Sequence, residues 1–194
     1  TRVIRLGLGD TDLYKLCEAD RIAEDVMAGR TQIADGRQAL RALSRGTGWR
    51  GRGMQLLGFA LASAAVAGLL RLPWLDIATA GVIGLLIGLV DIAAQQRPRL
   101  QEAADAISGL VAGTVAILVS NLVAPLNLNT VIIASLIVLL PGMSLTNAVN
   151  ELTSRHLVSG TARFAGALTT ILKLTIGTAI ALTVANLAGL QPEV

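Results

Sequence analysis

The feature that most constrains this chain is a series of apolar runs long enough to cross a lipid bilayer. The run from residue 77 to residue 90 contains no charged residue. A helix needs about twenty mainly apolar residues to cross a hydrocarbon core of about 30 Å. Five stretches approach that length, at residues 54–72, 75–94, 103–123, 128–140 and 164–190. The fourth is short, and it would gain length only from Pro125 or by continuing past Pro141. We therefore predict an all-α integral membrane protein with five transmembrane helices.

Charge divides the 194 residues into a polar beginning and an apolar remainder. Of the sixteen Lys and Arg residues, ten lie in the first 53 positions. Only 15% of all residues are charged, whereas about 25% is usual in soluble domains. We predict a small cytosolic helical segment at residues 1–50 and a five-helix transmembrane domain at residues 51–194. Because the basic residues adjoin the spans, they indicate membrane orientation and not nucleic-acid binding.

The first fifty residues contain two helical patterns. Apolar residues recur at three- and four-residue steps from 12 to 28, where Gly29 supplies a stop, and a second helix is expected after Thr31. The alternating segment at 1–9 predicts a short strand, and the lack of an initiator Met leads us to expect further sequence upstream. Arginines before the first span form either a solvated basic face or a site for anionic lipid. Cys17 is the only cysteine, so we expect no intrachain disulfide and no cysteine-based zinc site. We also predict no other metal site and no cofactor.

Arginine placement predicts the orientation of the spans. The basic approach to the first span, Arg97 after the second and Arg155 after the fourth all fall on one side of the membrane, whereas Arg71 falls on the other. Basic residues are concentrated in cytoplasmic loops. We therefore expect the N-terminus in the cytosol and the C-terminus of this chain outside.

Small residues form faces on three of the predicted spans. One face combines Ala80, Gly84 and Gly88 between two carboxylates, Asp76 and Asp91. The third and fifth spans have similar faces, formed by Asp105, Gly109, Ala112, Ala116 and Ser120 and by Gly166, Thr170, Lys173, Gly177 and Ala181. Such faces are typical of helix packing in membranes and do not by themselves indicate transport.

Lys173 is the basic residue nearest the middle of a predicted span. A charge at the bilayer centre costs about 2.5–3.5 kcal/mol on insertion scales, so its ammonium needs a partner or water. Asp91 and Asp105 are the carboxylate candidates, and a group from outside this chain is the alternative. Two roles remain open for these charges, coupling of transport or a structural tether. His156 is interpreted as a solvated loop residue, with a proton relay as the alternative.

The polar stretch from Pro141 to Arg163 separates the last two spans. Pro141 removes a backbone donor and Gly142 relaxes the chain, which predicts a kinked or broken helix. Three short polar side chains follow that suit a small zwitterionic ligand, namely Ser144, Thr146 and Asn147. Broken helices of this kind recur at the binding sites of secondary transporters. A packed kink followed by a cytosolic linker is the alternative.

This stretch resembles the threonine/serine exporter family. The resemblance rests on a PG pair followed by SLTNA at residues 144–148, then Glu151, an SG pair at residues 159–160, and Arg163. Where the family pattern has a basic–acidic pair and a glycine–acidic pair, this chain has Asn150 with Glu151 and Arg155 with His156. The helix ending VMAGR, the glycine-rich second span and the five-span order extend the resemblance over nearly the whole chain.

The resemblance implies an inner-membrane secondary exporter of threonine and serine, driven by protons and needing no cofactor. It also implies a second five-span half, in the same or a separate chain, and contacts with membrane lipid. The motif residues from Pro141 to Asn147, together with Glu151 and Arg163, become the expected substrate pathway, and Lys173, Asp91 and Asp105 the expected coupling charges.

Two other classes remain as alternatives. An intramembrane hydrolase needs a nucleophile with a base, or metal ligands, and the chain has one His and no HExxH motif. A non-transporting interaction or assembly domain fits the small-residue faces and the N-terminal helices equally well.

Overall fold

The computed structural model describes residues 13–43, 49–95 and 97–189, and these residues form helices without a strand. In chain order the helices are α1 (Leu13–Met27), α2 (Ile33–Leu43), α3 (Trp49–Leu69), α4 (Trp74–Gln95), α5 (Pro98–Leu122), α6 (Leu128–Leu136), α7 (Gly142–Thr153) and α8 (Leu157–Leu187). A 3₁₀ turn (Ile137–Leu139) extends α6. The prediction of an all-α membrane protein is confirmed. The strand predicted at residues 1–9 lies outside the described residues.

The chain divides into two compact units, with the boundary after Trp49. In the first unit, α1 closes at Gly29, which has a φ of +72° that suits glycine. The Arg30 amide bonds to the Asp25 carbonyl at 2.9 Å and the Gly29 amide to the Val26 carbonyl at 3.1 Å, which is the Schellman arrangement. Helix α2 packs on α1. The helices predicted at residues 12–28 and after Thr31 are thus present.

In the second unit, four helices are long and apolar enough to cross a membrane: Gly51–Leu69, Trp74–Gln95, Arg99–Leu122 and Leu157–Leu187. Helix α5 begins five residues before the predicted span because a proline at its first turn needs no amide partner, so part of the polar segment becomes helical. Helix α8 begins seven residues before its predicted start at Phe164. A hydropathy pattern does not detect polar residues at the end of a helix. This explains why α5 and α8 both begin earlier than the predicted spans.

The fourth predicted span is two helices joined at an angle. Helix α6 and its 3₁₀ turn end at Leu139, and α7 starts at Gly142 with a bend of 62°. The pair counts as a fifth span only if both arms are taken together. Proline has no amide hydrogen and restricts the residue before it, so the helix stops before Pro141. The break predicted at this proline is confirmed.

Helices α5 and α8 approach so closely that their backbones touch. A Cβ added at Gly177 would lie 2.0 Å from the Ala106 carbonyl oxygen, and one at Gly109 would lie 2.3 Å from the Leu174 carbonyl oxygen. We call the contact made by Gly109, Gly113, Gly177 and Ala181 the α5–α8 seam. The seam joins two of the small-residue faces found in the sequence, as expected for helices packed in lipid.

Helices α3 and α4 meet through the face that combines Gly84 and Gly88. A Cβ at Gly84 would lie 2.6 Å from the Phe59 carbonyl oxygen. Helix α6 packs against both α4 and α5, and its Val131 is completely buried. Large apolar side chains on the outside remain exposed, among them Leu61, Leu172 and Ile176. An apolar exterior around a core of small residues is what a lipid-embedded bundle requires.

Candidate transport site

The break at Pro141 places Gly142, the first residue of α7, in open space among the described residues. The Gly142 amide bonds to the Leu140 carbonyl at 2.8 Å, and the first helical bond of α7 runs from the Leu145 amide to the Pro141 carbonyl at 2.9 Å. A Cβ at Gly142 would meet no atom within 4 Å. Nothing therefore crowds the chain at Gly142.

The three short polar residues after the break do not share one face of α7. At 100° per residue, Ser144 and Asn147 project to the same side as Glu151, whereas Thr146 projects to the opposite side. The Thr146 hydroxyl donates a hydrogen bond of 3.0 Å to the Gly142 carbonyl, and this side chain is exposed. Ser144 is half-buried and Asn147 exposed. The structure thus groups Ser144 and Asn147 with Glu151 and separates Thr146 from them.

Glu151 and Arg163 join α7 to α8. The Nη2 and Nε atoms of Arg163 lie 3.0 Å and 3.1 Å from the same carboxylate oxygen, Oε1 of Glu151. The other oxygen, Oε2, is buried and accepts no hydrogen bond of good geometry from the described part of the chain. The Ser159 hydroxyl lies near this carboxylate, but its hydrogen bond of 3.3 Å goes to the His156 carbonyl. We call residues 141–163, which contain α7 and the start of α8, the elbow.

The two helices of the elbow turn back on each other through Arg155 and Gly160. Arg155 has a φ of +63°, a left-handed conformation that is rare outside glycine. Gly160 is buried, and an added Cβ would lie 2.8 Å from the Leu152 side chain. His156 is the exposed residue that precedes α8. The segment read from the sequence as one polar stretch is therefore a folded pair of helices.

Lys173 lies beside one of the two carboxylates that the sequence named for it. Its Nζ atom is 3.7 Å from Oδ2 of Asp105, and the two side chains are 36% and 26% exposed. Both residues flank the α5–α8 seam, so the close approach of the two helices brings the charges together. Asp91, the other candidate, lies on α4 and accepts hydrogen bonds from Gln55 at 2.7 Å and from Gln95 at 2.9 Å.

A further polar contact, with Asp76, was not predicted. Asp76 in the first turn of α4 is 1% exposed. Its Oδ2 atom accepts bonds from the Asn127 side-chain amide at 2.9 Å and from the Asn127 backbone amide at 3.3 Å. Asn127 directly precedes α6, so this contact fixes the start of the broken span. The only sequence signal was a polar residue between two apolar runs, which does not identify a partner.

A second unpredicted contact holds α6 near its end. The completely buried Ser63 of α3 donates a hydrogen bond of 3.2 Å to the Ser135 carbonyl. The Ser135 hydroxyl in turn donates to the Val131 carbonyl at 2.7 Å. Together with the contact at Asn127, this bond attaches the first arm of the broken span to α3 and α4.

An apolar groove of about 320 Å³ lies between α6 and α8. Its lining includes Ile132, Leu136 and Leu174, with Asn129, Thr175 and Thr178 as the polar members. Among the described residues, no group of three or more His, Cys, Asp and Glu side chains lies close enough to hold a metal ion.

The fold and these contacts define a multi-pass, all-α membrane protein with a bent helix pair and with charged side chains on the helices long enough to span a membrane. The family whose model matches residues 1–185 is ThrE, described as "Putative threonine/serine exporter". The chain belongs to this family, as its resemblance over nearly the whole sequence indicated. The family is one of transporters and not of enzymes. Comparison with curated proteins and with solved structures gave no match.

Proposed function

We propose that this chain is one half of a secondary transporter that exports threonine and serine across the inner (plasma) membrane in exchange for protons. The family supports the substrate class. The observation that carries the mechanism is the 62° bend between α6 and α7. Secondary transporters form their central sites from interrupted helices, because freed backbone groups and helix ends bind charged substrates there.

The proposed pathway runs along the elbow. Pro141 and Gly142 open the helix, and Ser144 and Asn147 present a hydroxyl and a carboxamide on the side of α7 that also contains Glu151. Arg163 completes this polar side from α8. The Thr146 hydroxyl already donates a hydrogen bond to the Gly142 carbonyl. We therefore include Thr146 in the pathway because of its backbone and its position at the break.

The proposed coupling charges are Lys173, Asp105 and Asp91. Ionisable side chains inside a bundle are costly and are typical of ion and proton pathways. Lys173 and Asp105 lie close enough for protonation of the carboxylate to weaken their attraction. Asp91 is the second proposed proton site. It lies on α4 and accepts a hydrogen bond from the Gln55 side-chain amide of α3.

The proposed complete transporter contains a second five-span half, in the same or a separate chain, and is surrounded by membrane lipid. An odd number of spans places two related halves in opposite orientations, which yields the inverted repeat used in alternating access. The exposed apolar side chains of the spans supply the surfaces for lipid and for that second half.

Flux through vesicles tests this function. The protein, with its proposed second half, is reconstituted and threonine and serine movement is measured with and without a pH gradient. Uptake that exceeds that of protein-free vesicles and follows the gradient supports the proposal. The Asp25→Asn variant changes an exposed ion pair of the first unit and serves as the matched control. Folded protein without flux would favour the alternative, a membrane interaction or assembly domain.

The proposed orientation places the N-terminus and Arg155 in the cytosol, with Arg71 and the C-terminus of this chain outside. Cys17 is exposed, so an impermeant thiol reagent reports the side of the N-terminal helices directly. In a Cys17→Ser background, single cysteines at the exposed Leu70 and Ser154 test the two ends of the bundle. We expect labelling at Leu70 from outside and at Ser154 from the cytosol, and the reverse pattern would invert the topology.

A further inference from the structure

The unusual feature of the elbow is how the Glu151–Arg163 pair is joined. A side-on arginine normally offers two N–H groups to two carboxylate oxygens. Here both donors go to Oε1, while Oε2 is buried and has no hydrogen bond from the described residues, since the nearby Ser159 hydroxyl donates to the His156 carbonyl. Buried polar atoms are almost always hydrogen-bonded, so each exception needs an explanation. The pair is therefore incompletely satisfied on its acidic side.

Glu151 also leaves part of the Arg163 guanidinium unoccupied. A guanidinium has five N–H donors, and Glu151 takes two of them. The Arg163 and Glu151 side chains are 30% and 26% exposed, so neither is sealed inside the bundle. The pair thus combines a buried acceptor that has no hydrogen bond among the described residues with a partly exposed guanidinium that Glu151 does not fully occupy.

A free amino acid has the complementary charges. Its ammonium supplies three donors and its carboxylate supplies acceptors, separated by a single carbon atom. We infer that Glu151 and Arg163 recognise the transported amino acid as a zwitterion, with Oε2 of Glu151 accepting from the α-ammonium and Arg163 donating to the α-carboxylate. This inference rests on the proposed export function. It specifies that the elbow binds the α-ammonium and the α-carboxylate of the substrate.

Rotation of the Glu151 carboxylate can make this change, because the terminal torsion of a glutamate is broad. The rotation turns Oε2 toward a ligand, and the two bonds that Arg163 makes to Oε1 are exchanged for bonds to the ligand carboxylate. Binding of the substrate ammonium then gives Oε2 of Glu151 a hydrogen-bond donor. An ion pair whose oxygens are all hydrogen-bonded would not gain this bond. Ser144 and Asn147, on the same side of α7, lie in position to contact the side-chain hydroxyl of threonine or serine.

Two threonine analogues test the inference on the unmodified protein. The compound 3-hydroxybutyrate lacks the ammonium and 1-aminopropan-2-ol lacks the carboxylate, while both keep the hydroxyl. We expect neither to inhibit threonine flux at concentrations about tenfold above the threonine KM, because each loses a charge-assisted bond. Inhibition by either analogue at the threonine KM would overturn the inference and leave the export function standing.

Variants then separate recognition from tethering. We expect Glu151→Gln to raise the threonine KM about tenfold or more with little change in folded abundance, since the amide keeps an acceptor for Arg163. A purely structural pair predicts lower abundance and an unchanged KM. Asp25→Asn, which alters the 2.7 Å Arg30–Asp25 pair of the first unit, is the control for loss of an ion pair.

Comparing flux through the unmodified protein with flux through Glu151→Gln distinguishes the two proposals. Threonine flux with an unchanged KM in Glu151→Gln removes the zwitterion site alone. Absence of threonine and serine flux from folded protein removes the export function, and the zwitterion site with it.

Discussion

Helix α8 makes two interfaces that differ in kind. Its second half packs on α5 through the seam, where Gly177 meets a backbone carbonyl and no side chain intervenes. Its first half packs on α7 in the elbow, where Gly160 lies nearest to the Leu152 side chain, with the Leu152 backbone nitrogen somewhat farther away, and where Glu151 and Arg163 form an incompletely bonded ion pair. Backbone atoms of packed helices cannot rotate away, whereas side chains can. The seam is therefore the fixed part of the bundle and the elbow the adaptable part.

The broken span connects these two parts. Helix α6 is attached at its start through Asp76 and near its end through Ser63. Helix α7 packs on α8 instead, beyond the bend. This arrangement fixes one arm of the span to the bundle and leaves the other on the side of the elbow, as a rocking or gating mechanism requires.

The largest expected effect comes from breaking the seam. Gly177→Ala puts a methyl group against the Ala106 carbonyl, and we expect about 3 kcal/mol of destabilisation because overpacking there forces the helices apart. Thermal melting of the purified protein measures it. Gly160→Ala should cost less, since its nearest neighbour is the Leu152 side chain, which can move, and the Leu152 backbone nitrogen is 3.1 Å away. Gly58→Ala, which meets no atom within 4 Å, is the control. Equal losses at Gly160 and Gly177 would remove the distinction between the interfaces.

The charges beside the seam should give the next largest effect. We expect Lys173→Met to reduce gradient-driven export at least tenfold and to lower folded abundance, because the attraction between the Lys173 ammonium and Asp105 is lost. Adding Asp105→Asn should restore abundance without restoring export against a gradient. If the double variant recovers both folded abundance and export against a gradient, Lys173 and Asp105 only tether the two helices. Wild-type behaviour of Lys173→Met would show that the ammonium reaches water and has neither role.

Attachment of α6 to the fixed part is tested at Asn127. Asn127→Ala removes the shorter of two bonds to the buried Asp76 carboxylate, and we expect about 1.5–3 kcal/mol of destabilisation. Asn129→Ala, an exposed residue of the same type two positions later, is the control. Equal melting temperatures for the two variants would show that the contact does not hold the broken span.

We expect the smallest effect in the elbow, from Asn147→Ala. Asn147→Ala removes an exposed carboxamide, so folded abundance should stay unchanged. We expect threonine export per folded molecule to fall about threefold to tenfold, which corresponds to one lost hydrogen bond. Initial flux at several threonine concentrations measures it, and Thr153→Val, an exposed residue on the opposite side of α7, is the control that should keep wild-type flux. Unchanged flux per molecule in Asn147→Ala would remove this residue from the site.

Much of the candidate site could be predicted from particular residues. Pro141 predicted the break because its effect on a helix is local. Lys173 predicted a carboxylate partner because an unpaired charge is costly in lipid, and Asp105 was one of two candidates. The opposite placement of Thr146 also follows from helical periodicity, but only once residues 142–153 are known to be helical and not a polar linker.

The sequence alone determined the membrane class, the approximate spans and the family, because hydropathy, helix breakers and motifs are local properties of the chain. Tertiary structure decided which carboxylate meets Lys173, that Asn127 donates to Asp76, and that Arg163 leaves one oxygen of Glu151 without a donor. These contacts join residues 12 to 68 positions apart. A pattern along one helix does not contain the angle and register of its neighbours, and those set which side chains come within hydrogen-bond distance.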